Sequence, residues 1–279
     1  MEREDGSGPD LAPPSAAPRA LPVVGAPAPR AAPPRRAAHP GGAVARGVVL
    51  FDLDGTLLDD LALISDVAAD VMHATFGTPA DEARIHYLAT TGMPFEAQLA
   101  QLYPDSPEPL RAGASRTFHQ RKVTEAYARA EPFPEVPRVL KSLEGAGWNM
   151  AVTTGAETET ADLLLEREGL RFWFDDVLGS ADGTKREHLT EYRRRYGGAP
   201  FYLVGDSRFD MEAARSVDGV TPIGRASAFR GWTLTPDDLR KWGAAWADFS
   251  LAGLPEVLER LARGPARERP RRRSASRRA

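Results

Sequence analysis

Apolar runs and polar breaks give the chain its first outline. Val48 to Phe51 run without interruption into Asp-Leu-Asp-Gly, the pattern of a strand buried on both faces that ends in a turn. The next clear strand, NMAVTTG, begins only at Asn149. The stretch between them carries apolar residues at helical spacing, through LALISDVAADVMHATFG, FEAQLAQLYP and RAGASRTFHQRKVTEAYARA. Beyond Thr153 the pattern predicts a helix over 158–168, a strand over 176–178, a helix over 185–196, a strand over 201–204 and a helix over 210–216. A short strand over 220–223 and a last helix over 254–261 complete it. Strands alternating with helices predict an α/β fold, a doubly wound parallel sheet covered on both faces. The helical block after the first strand is then an insertion. No internal repeat is visible.

The two ends have another texture. Ten of the 24 prolines fall in residues 1–46, among Ala, Gly and Arg, where Pro removes backbone donors and the apolar side chains are too small to drive burial. That segment is expected to be disordered. Glu2, Glu4 and Asp5 precede its only apolar candidate, which Pro22 interrupts, so a secretory signal is not expected. Residues 263–279 hold eight Arg and one Glu, with Pro265 and Pro270 breaking any helix, and are also expected to be disordered. With +2 in the first 46 residues and +7 in the last 17, a net charge of −3 leaves the intervening body at −12. An acidic body argues against a nucleic-acid-binding domain and permits a metal site.

Composition removes several chemistries. The chain has no cysteine, which excludes disulfides, thiol nucleophiles, iron–sulfur clusters and Cys-type zinc sites. No run of 18 apolar residues occurs, so no membrane partner is expected and the setting is expected to be cytoplasmic.

Acidic residues stand at the carboxyl ends of two strands, where open parallel sheets place their ligands. In FDLDGTLLD, Asp52 and Asp54 are two apart, so an extended backbone points both the same way, and Gly55 lets the chain turn. In YLVGDSRFD, Asp206 follows the strand and Asp210 lies one helical turn further on. Single aspartates after strands are mostly turn or N-cap residues. Two pairs converging on one crevice would repel each other strongly without a cation. Oxygen-only ligands select a hard cation, and with no His cluster the natural choice is magnesium, Mg2+. Asp52, Asp54, Asp206 and Asp210 are the candidate metal residues. Thr153 and Thr154 close the second strand, and Lys185 opens a helix after DVLGSADGT. A carboxylate nucleophile, a metal, a hydroxyl and an ammonium together are what phosphoryl transfer to an aspartate requires.

These motifs resemble the haloacid dehalogenase-like hydrolases, in particular the phosphoglycolate-phosphatase-like branch with a helical cap after the first strand. The resemblance runs from about Val48 to Leu261. FDLDGTLLD is similar to that family's first motif, AVTTG to its second and GDSRFDMEAAR to its fourth, while EPFPEVPRVLKSLEGAG resembles the stretch that re-enters the core from the cap. The third motif, TKREHL, lacks the proline that usually follows its lysine. The resemblance implies a Rossmann-like core over 47–60 and 132–262 and an α-helical cap over 61–131. It also implies roles. Asp52 becomes an aspartyl phosphate, Asp54 is the general acid and then the base, and also lends a backbone carbonyl to the metal. Thr153, with Thr154 as its alternate, and Lys185 bind the phosphoryl group, and Asp206 and Asp210 complete the magnesium site.

Asp54 favours phosphate chemistry over dehalogenation or phosphonate hydrolysis, which in this superfamily lack that second aspartate. The expected activity is that of a phosphoric monoester hydrolase acting on a small phosphorylated metabolite, as a monomer or homodimer. A phosphosugar mutase of the beta-phosphoglucomutase type shares every core motif and is the first alternative. An inactive binding or regulatory member of the fold is the second. Substrate choice is expected from the cap, whose basic candidates are Arg84, His86, Arg111, Arg116, His119, Arg121 and Lys122. Nucleic acid is expected as a partner only through a weak, salt-sensitive contact of the Arg-rich tail.

Overall fold

The computed structural model describes residues 46–263, and the expectations for residues 1–45 and 264–279 lie outside the described residues. Six strands form one sheet in the order β3-β2-β1-β4-β5-β8, with every neighbouring pair parallel. They are β1 (Gly47–Phe51), β2 (Trp148–Thr153), β3 (Asp176–Leu178), β4 (Phe201–Gly205), β5 (Val220–Arg225) and β8 (Trp246–Asp248). Two further strands, β6 (Ser227–Phe229) and β7 (Trp232–Leu234), pair as an antiparallel hairpin outside the sheet.

The unbroken apolar run of β1 has a direct cause. Val49 and Phe51 face one helical layer and join one apolar cluster, while Val48 and Leu50 join another with Leu189 and Tyr192 of α7 (Lys185–Tyr196) and Ala214 of α8 (Arg208–Arg215). A strand covered on both faces has no side left for polar residues. Phe51 pairs in register with Val152 on one side and Val204 on the other. The residues that follow, Asp52, Thr153 and Gly205, therefore stand at one level at the carboxyl ends of these strands.

Between β1 and β2 the chain is helical: α1 (Leu61–Phe76), α2 (Ala80–Ala89), α3 (Phe95–Leu102) and α4 (Glu108–Arg121), then a π turn over Lys122–Ala126 and a 3-10 turn over Tyr127–Arg129. Pro79, Pro94 and Pro107 precede α2, α3 and α4 with nearly the same extended backbone, φ from −53° to −56° and ψ from 135° to 137°. The proline ring fixes φ and needs no amide partner, so it serves as a rigid start. Tyr87, Phe95 and Phe118 pack together within the insertion, the last two stacked with centroids 4.0 Å apart. Its outgoing and returning links are hydrogen-bonded to each other, Asp59 N to Glu131 O at 2.8 Å and Phe133 N to Leu57 O at 3.1 Å, around an antiparallel bridge of Leu58 and Pro132. Helix α5 (Val136–Gly145) then leads into β2, and α6 (Thr158–Arg167) leads towards β3.

The predicted alternation holds to within a residue or two from 148 to 223. After β5 the structure adds what the pattern did not predict: the β6–β7 hairpin, α9 (Pro236–Lys241) and β8, which extends the sheet to six strands. Each of these strands has three residues, as the predicted β3 does, but they lie outside the strand–helix alternation in which β3 stands. Helix α10 (Leu254–Ala262) ends the described chain. No helix among the described residues is long and apolar enough to cross a membrane.

Candidate active site

The site lies where β1 and β4 end side by side. Gly55 takes φ 70°, and a Cβ there would stand 2.5 Å from Oδ2 of Asp206, so glycine serves both the turn and the close approach of that carboxylate. The turn is closed by Leu57 N on Leu53 O at 2.9 Å and by Gly55 N on Leu58 O at 3.0 Å. Asp60 also receives Gly55 N, on Oδ1 at 3.1 Å. Burial, then the charge of Asp54, push the Asp60 carboxyl well above the usual carboxylate range. On β4, a Cβ on Gly205 would collide with the carboxyl carbon of Asp210 at 2.3 Å, so the side chain of Asp210 lies across the strand end.

Helix α8 begins with a capping box. Ser207 N and Ser207 Oγ donate to Asp210 Oδ2 at 3.1 and 2.5 Å, and Asp210 N donates back to Ser207 Oγ at 3.2 Å. Asp210 is thus an N-terminal capping partner, and its other oxygen is left for different work. Lys185 Nζ donates to that oxygen, Oδ1, at 2.5 Å, and is paired with Oδ1 of Asp52 at 2.8 Å. Lys185 is the first residue of α7, whose start is fixed by a capping box between Thr184 and Glu187. Burial pulls its pKa down, but Asp210 and Asp52 more than offset this and hold the ammonium protonated.

Oxygens of Asp52, Asp206 and Asp210 all lie within 4.8 Å of one another, and all three residues are buried. Burial pushes the Asp52 carboxyl up to about 7, against the pull of Lys185 and with further help from Asp210. Burial, then Asp52 and Asp210, push Asp206 well above its usual range as well. Oδ1 of Asp206 is buried without a hydrogen-bond partner. An orphaned carboxylate oxygen among three clustered acids is a donor set that suits a hard divalent cation.

Asp54 stands apart from that trio. Its Oδ2 accepts from Lys122 Nζ at 2.5 Å and from Tyr127 OH at 3.1 Å, both from the turns that end the insertion. The Lys122 ammonium also sits over the Tyr127 ring, 4.8 Å from its centroid. The two hydroxyls at the end of β2 also differ. Thr153 is fully buried and its Oγ1 is hydrogen-bonded to Nδ1 of His188 at 2.9 Å, while Thr154 Oγ1 accepts from Ala156 N at 3.1 Å.

The model of the haloacid dehalogenase-like hydrolase family matches residues 49–221. The chain belongs to this family.

Among similar proteins, a phosphoglycolate phosphatase of Vibrio parahaemolyticus is 27% identical over 227 residues, covering 77% of this chain and 96% of that protein. One from Rhodobacter capsulatus is 28% identical over 217 residues, covering 76% and 96%. Among solved structures, a hydrolase from Pseudomonas syringae superposes with a TM-score of 0.61 at 21% identity, over 76% of this chain and 98% of that one. A haloacid dehalogenase-like family hydrolase from Streptococcus pneumoniae gives 0.60 at 23%, over 76% and 97%. Proteins named phosphatases recur among the relatives, so the chain falls in the phosphatase-like branch and is an enzyme, a phosphoric monoester hydrolase.

Within this hydrolase, most basic candidates of the insertion serve its own surface. Arg84 pairs with Asp66, His86 with Glu82, and Arg121 with Glu125 and Asp70, while Arg111 donates to backbone carbonyls of Tyr103, Pro104 and Ser106. Lys122 and His119 face a cleft against the core. The contacts of Lys122 and Tyr127 with Asp54, and that of Asp60 with Gly55, were not foreseen in sequence. The first two join residues 68 and 73 positions apart, and a lysine at the end of a helical pattern carries no local mark of such a contact.

Proposed function

We propose that this hydrolase is a magnesium-dependent phosphatase that dephosphorylates a small metabolite through an aspartyl phosphate on Asp52. One observation carries the reading: Asp52, at the end of the central strand, shares Lys185 with Asp210 beside Asp206, while Asp54 two residues on is held by donors from the insertion. Two carboxylates so close in sequence and so different in surroundings suit a nucleophile and an acid–base group.

Asp52 attacks phosphorus through a carboxylate oxygen. The phosphorus–oxygen bond to the leaving group breaks as the acyl phosphate forms, and the departing oxygen takes a proton from Asp54. Both donors to Asp54 act on Oδ2. Water then attacks the phosphoryl group, gives its proton to Asp54 and releases phosphate, which restores Asp52. Lys185 neutralises charge on the transferring oxygens and holds Asp52 in place. Thr154 accepts from Ala156 N and so has its own O–H for a phosphoryl oxygen, while Thr153 shares a hydrogen bond with the His188 ring in which either atom can donate. Asp52, Asp206 and Asp210 would hold the magnesium ion through side-chain oxygens, with the Asp54 backbone carbonyl as a further ligand. When bound, the ion supplies positive charge where the phosphoryl oxygens become more negative. The helical stretch over 61–131 acts as a cap on a core formed by 47–60 and 132–262.

The test is hydrolysis of 4-nitrophenyl phosphate with magnesium. Activity should disappear in EDTA and in Asp52→Asn, and rapid quenching should trap protein-bound phosphate that hydroxylamine releases. Full activity in EDTA, or trapped phosphate in Asp52→Asn, would sink the mechanism.

A further inference from the structure

A cleft of about 340 Å³ opens between the end of the insertion and the segments that follow β2 and β3. At roughly 30 Å³ per water in the liquid, this is the space of about eleven waters. A two-carbon acid has five heavy atoms and would leave most of it unfilled, whereas a four- to six-carbon polyol fits it.

Charge on the wall narrows the choice further. Lys122 is the one Lys or Arg on the lining among the described residues, and its ammonium is already on Asp54. A carboxylate or second phosphate on the leaving group would have to share Lys122 with Asp54. The lining also carries Glu157, an exposed carboxylate close enough to His119 to act on its charge. Burial, then Lys122, hold the His119 ring below its usual pKa, so it offers no cation at neutral pH. An anion therefore meets one occupied cation and one carboxylate, while a cationic leaving group meets the ammonium of Lys122. The rest of the lining includes Thr160, Ser180 and Gln120, which both donate and accept hydrogen bonds.

We propose that this cleft takes an uncharged, polyhydroxylated leaving group of four to six carbons, so that the substrates are sugar or alditol monophosphates, with Glu157 accepting hydrogen bonds from their hydroxyls. The proposal rests on the phosphatase reading above and departs from the substrate named for the relatives. A carboxylate pairs well with hydroxyl donors, and the loss of one such bond to a charged group is a tenfold effect or more.

The experiment measures kcat/KM with magnesium for erythrose 4-phosphate, ribose 5-phosphate and glucitol 6-phosphate. Comparison substrates are 2-phosphoglycolate, phosphoethanolamine and 4-nitrophenyl phosphate. The best of the first three should exceed 2-phosphoglycolate and phosphoethanolamine by about tenfold or more. Glu157→Lys should reduce that ratio against 2-phosphoglycolate by at least about tenfold, chiefly through KM, and Glu157→Gln should shift it the same way by about threefold. Turnover of 2-phosphoglycolate or phosphoethanolamine as fast as the best sugar phosphate would overturn the proposal, as would an unchanged ratio in both variants. In either case, hydrolysis of the aryl phosphate leaves the phosphatase reading standing. If no ester, the aryl phosphate included, is hydrolysed, the phosphatase reading fails and this inference with it.

Discussion

The strand-end cluster and the contact made by the insertion stand two residues apart in sequence at their nearest point, Asp52 against Asp54, yet they are built differently. Asp52, Asp206, Asp210 and Lys185 are presented by elements fixed to the sheet, and their charges are buried against one another. Asp54 reaches outward and meets Lys122 and Tyr127, which belong to turns outside the sheet. The first region couples chemistry to folding, because its charges cannot be removed singly without leaving a buried partner exposed to repulsion. The second couples chemistry to the position of the insertion. Variants should therefore separate into those that disturb both activity and stability and those that disturb activity alone.

Asp52→Asn gives the largest expected effect. It removes the nucleophile at nearly constant shape, and kcat on any phosphate ester should fall by roughly 10³-fold or more. A near-wild-type rate would break the comparison at its first member.

Lys185→Met comes next. Without its ammonium, Asp52 and Asp210 face each other unpaired, and urea denaturation without divalent ions should show a loss of about 3–5 kcal/mol. A loss under about 1 kcal/mol would mean that the cluster does not carry folding energy.

For Asp54→Asn the expected fall in kcat is about 10²-fold on alkyl phosphates and much smaller on 4-nitrophenyl phosphate, whose leaving group needs no proton. Stability should hardly move. Equal losses on the two esters would remove the acid–base assignment.

Smaller again is Lys122→Met, which takes one charged donor from Asp54. A fall of about tenfold in kcat/KM on alkyl phosphates is expected with the thermal midpoint nearly unchanged, matching one charge-assisted hydrogen bond. A lowered midpoint with unchanged kinetics would place Lys122 in the scaffold instead.

The smallest effect is a pH dependence of stability. Burial lifts the Asp52 carboxyl from 3.8 to about 7, so the folded chain binds that proton more tightly than the unfolded one. The favourable contribution is complete below about pH 4 and is lost as pH rises through about 7. In metal-free buffer the midpoint of Asp52→Asn should accordingly rise relative to wild type across that window. A flat difference between pH 4 and 8 would show that Lys185 cancels the burial.

The same contrast explains what could be read from the chain. The strand-end aspartates stand next to apolar runs and glycines, so Asp52, Asp206 and Asp210 are legible from local pattern, as are the strands that present them, whereas Lys185 takes its meaning from the family resemblance. What closes over Asp54 was not, because Lys122 and Tyr127 meet it across long separations and only packing brings them there. Strand β8 and the β6–β7 hairpin escaped for another reason: three residues each like β3, they lie outside the strand–helix alternation that marks β3. Of the two threonines, spacing alone does not say what holds each hydroxyl, which in the structure is the His188 ring for Thr153 and the Ala156 amide for Thr154.

The pairing of Asp59 with Glu131 and of Phe133 with Leu57 bears on the mechanics of the whole enzyme. Two separate tethers would let the insertion wander in several directions, and each return to a productive pose would lose that freedom again. Laced together, they form a two-ply ribbon that flexes readily about one axis and resists splaying. Any movement of the insertion against the sheet is therefore expected to carry Lys122 to and from Asp54 about that one axis, and substitutions in the ribbon are expected to alter its stiffness more than substitutions in the helices beyond it.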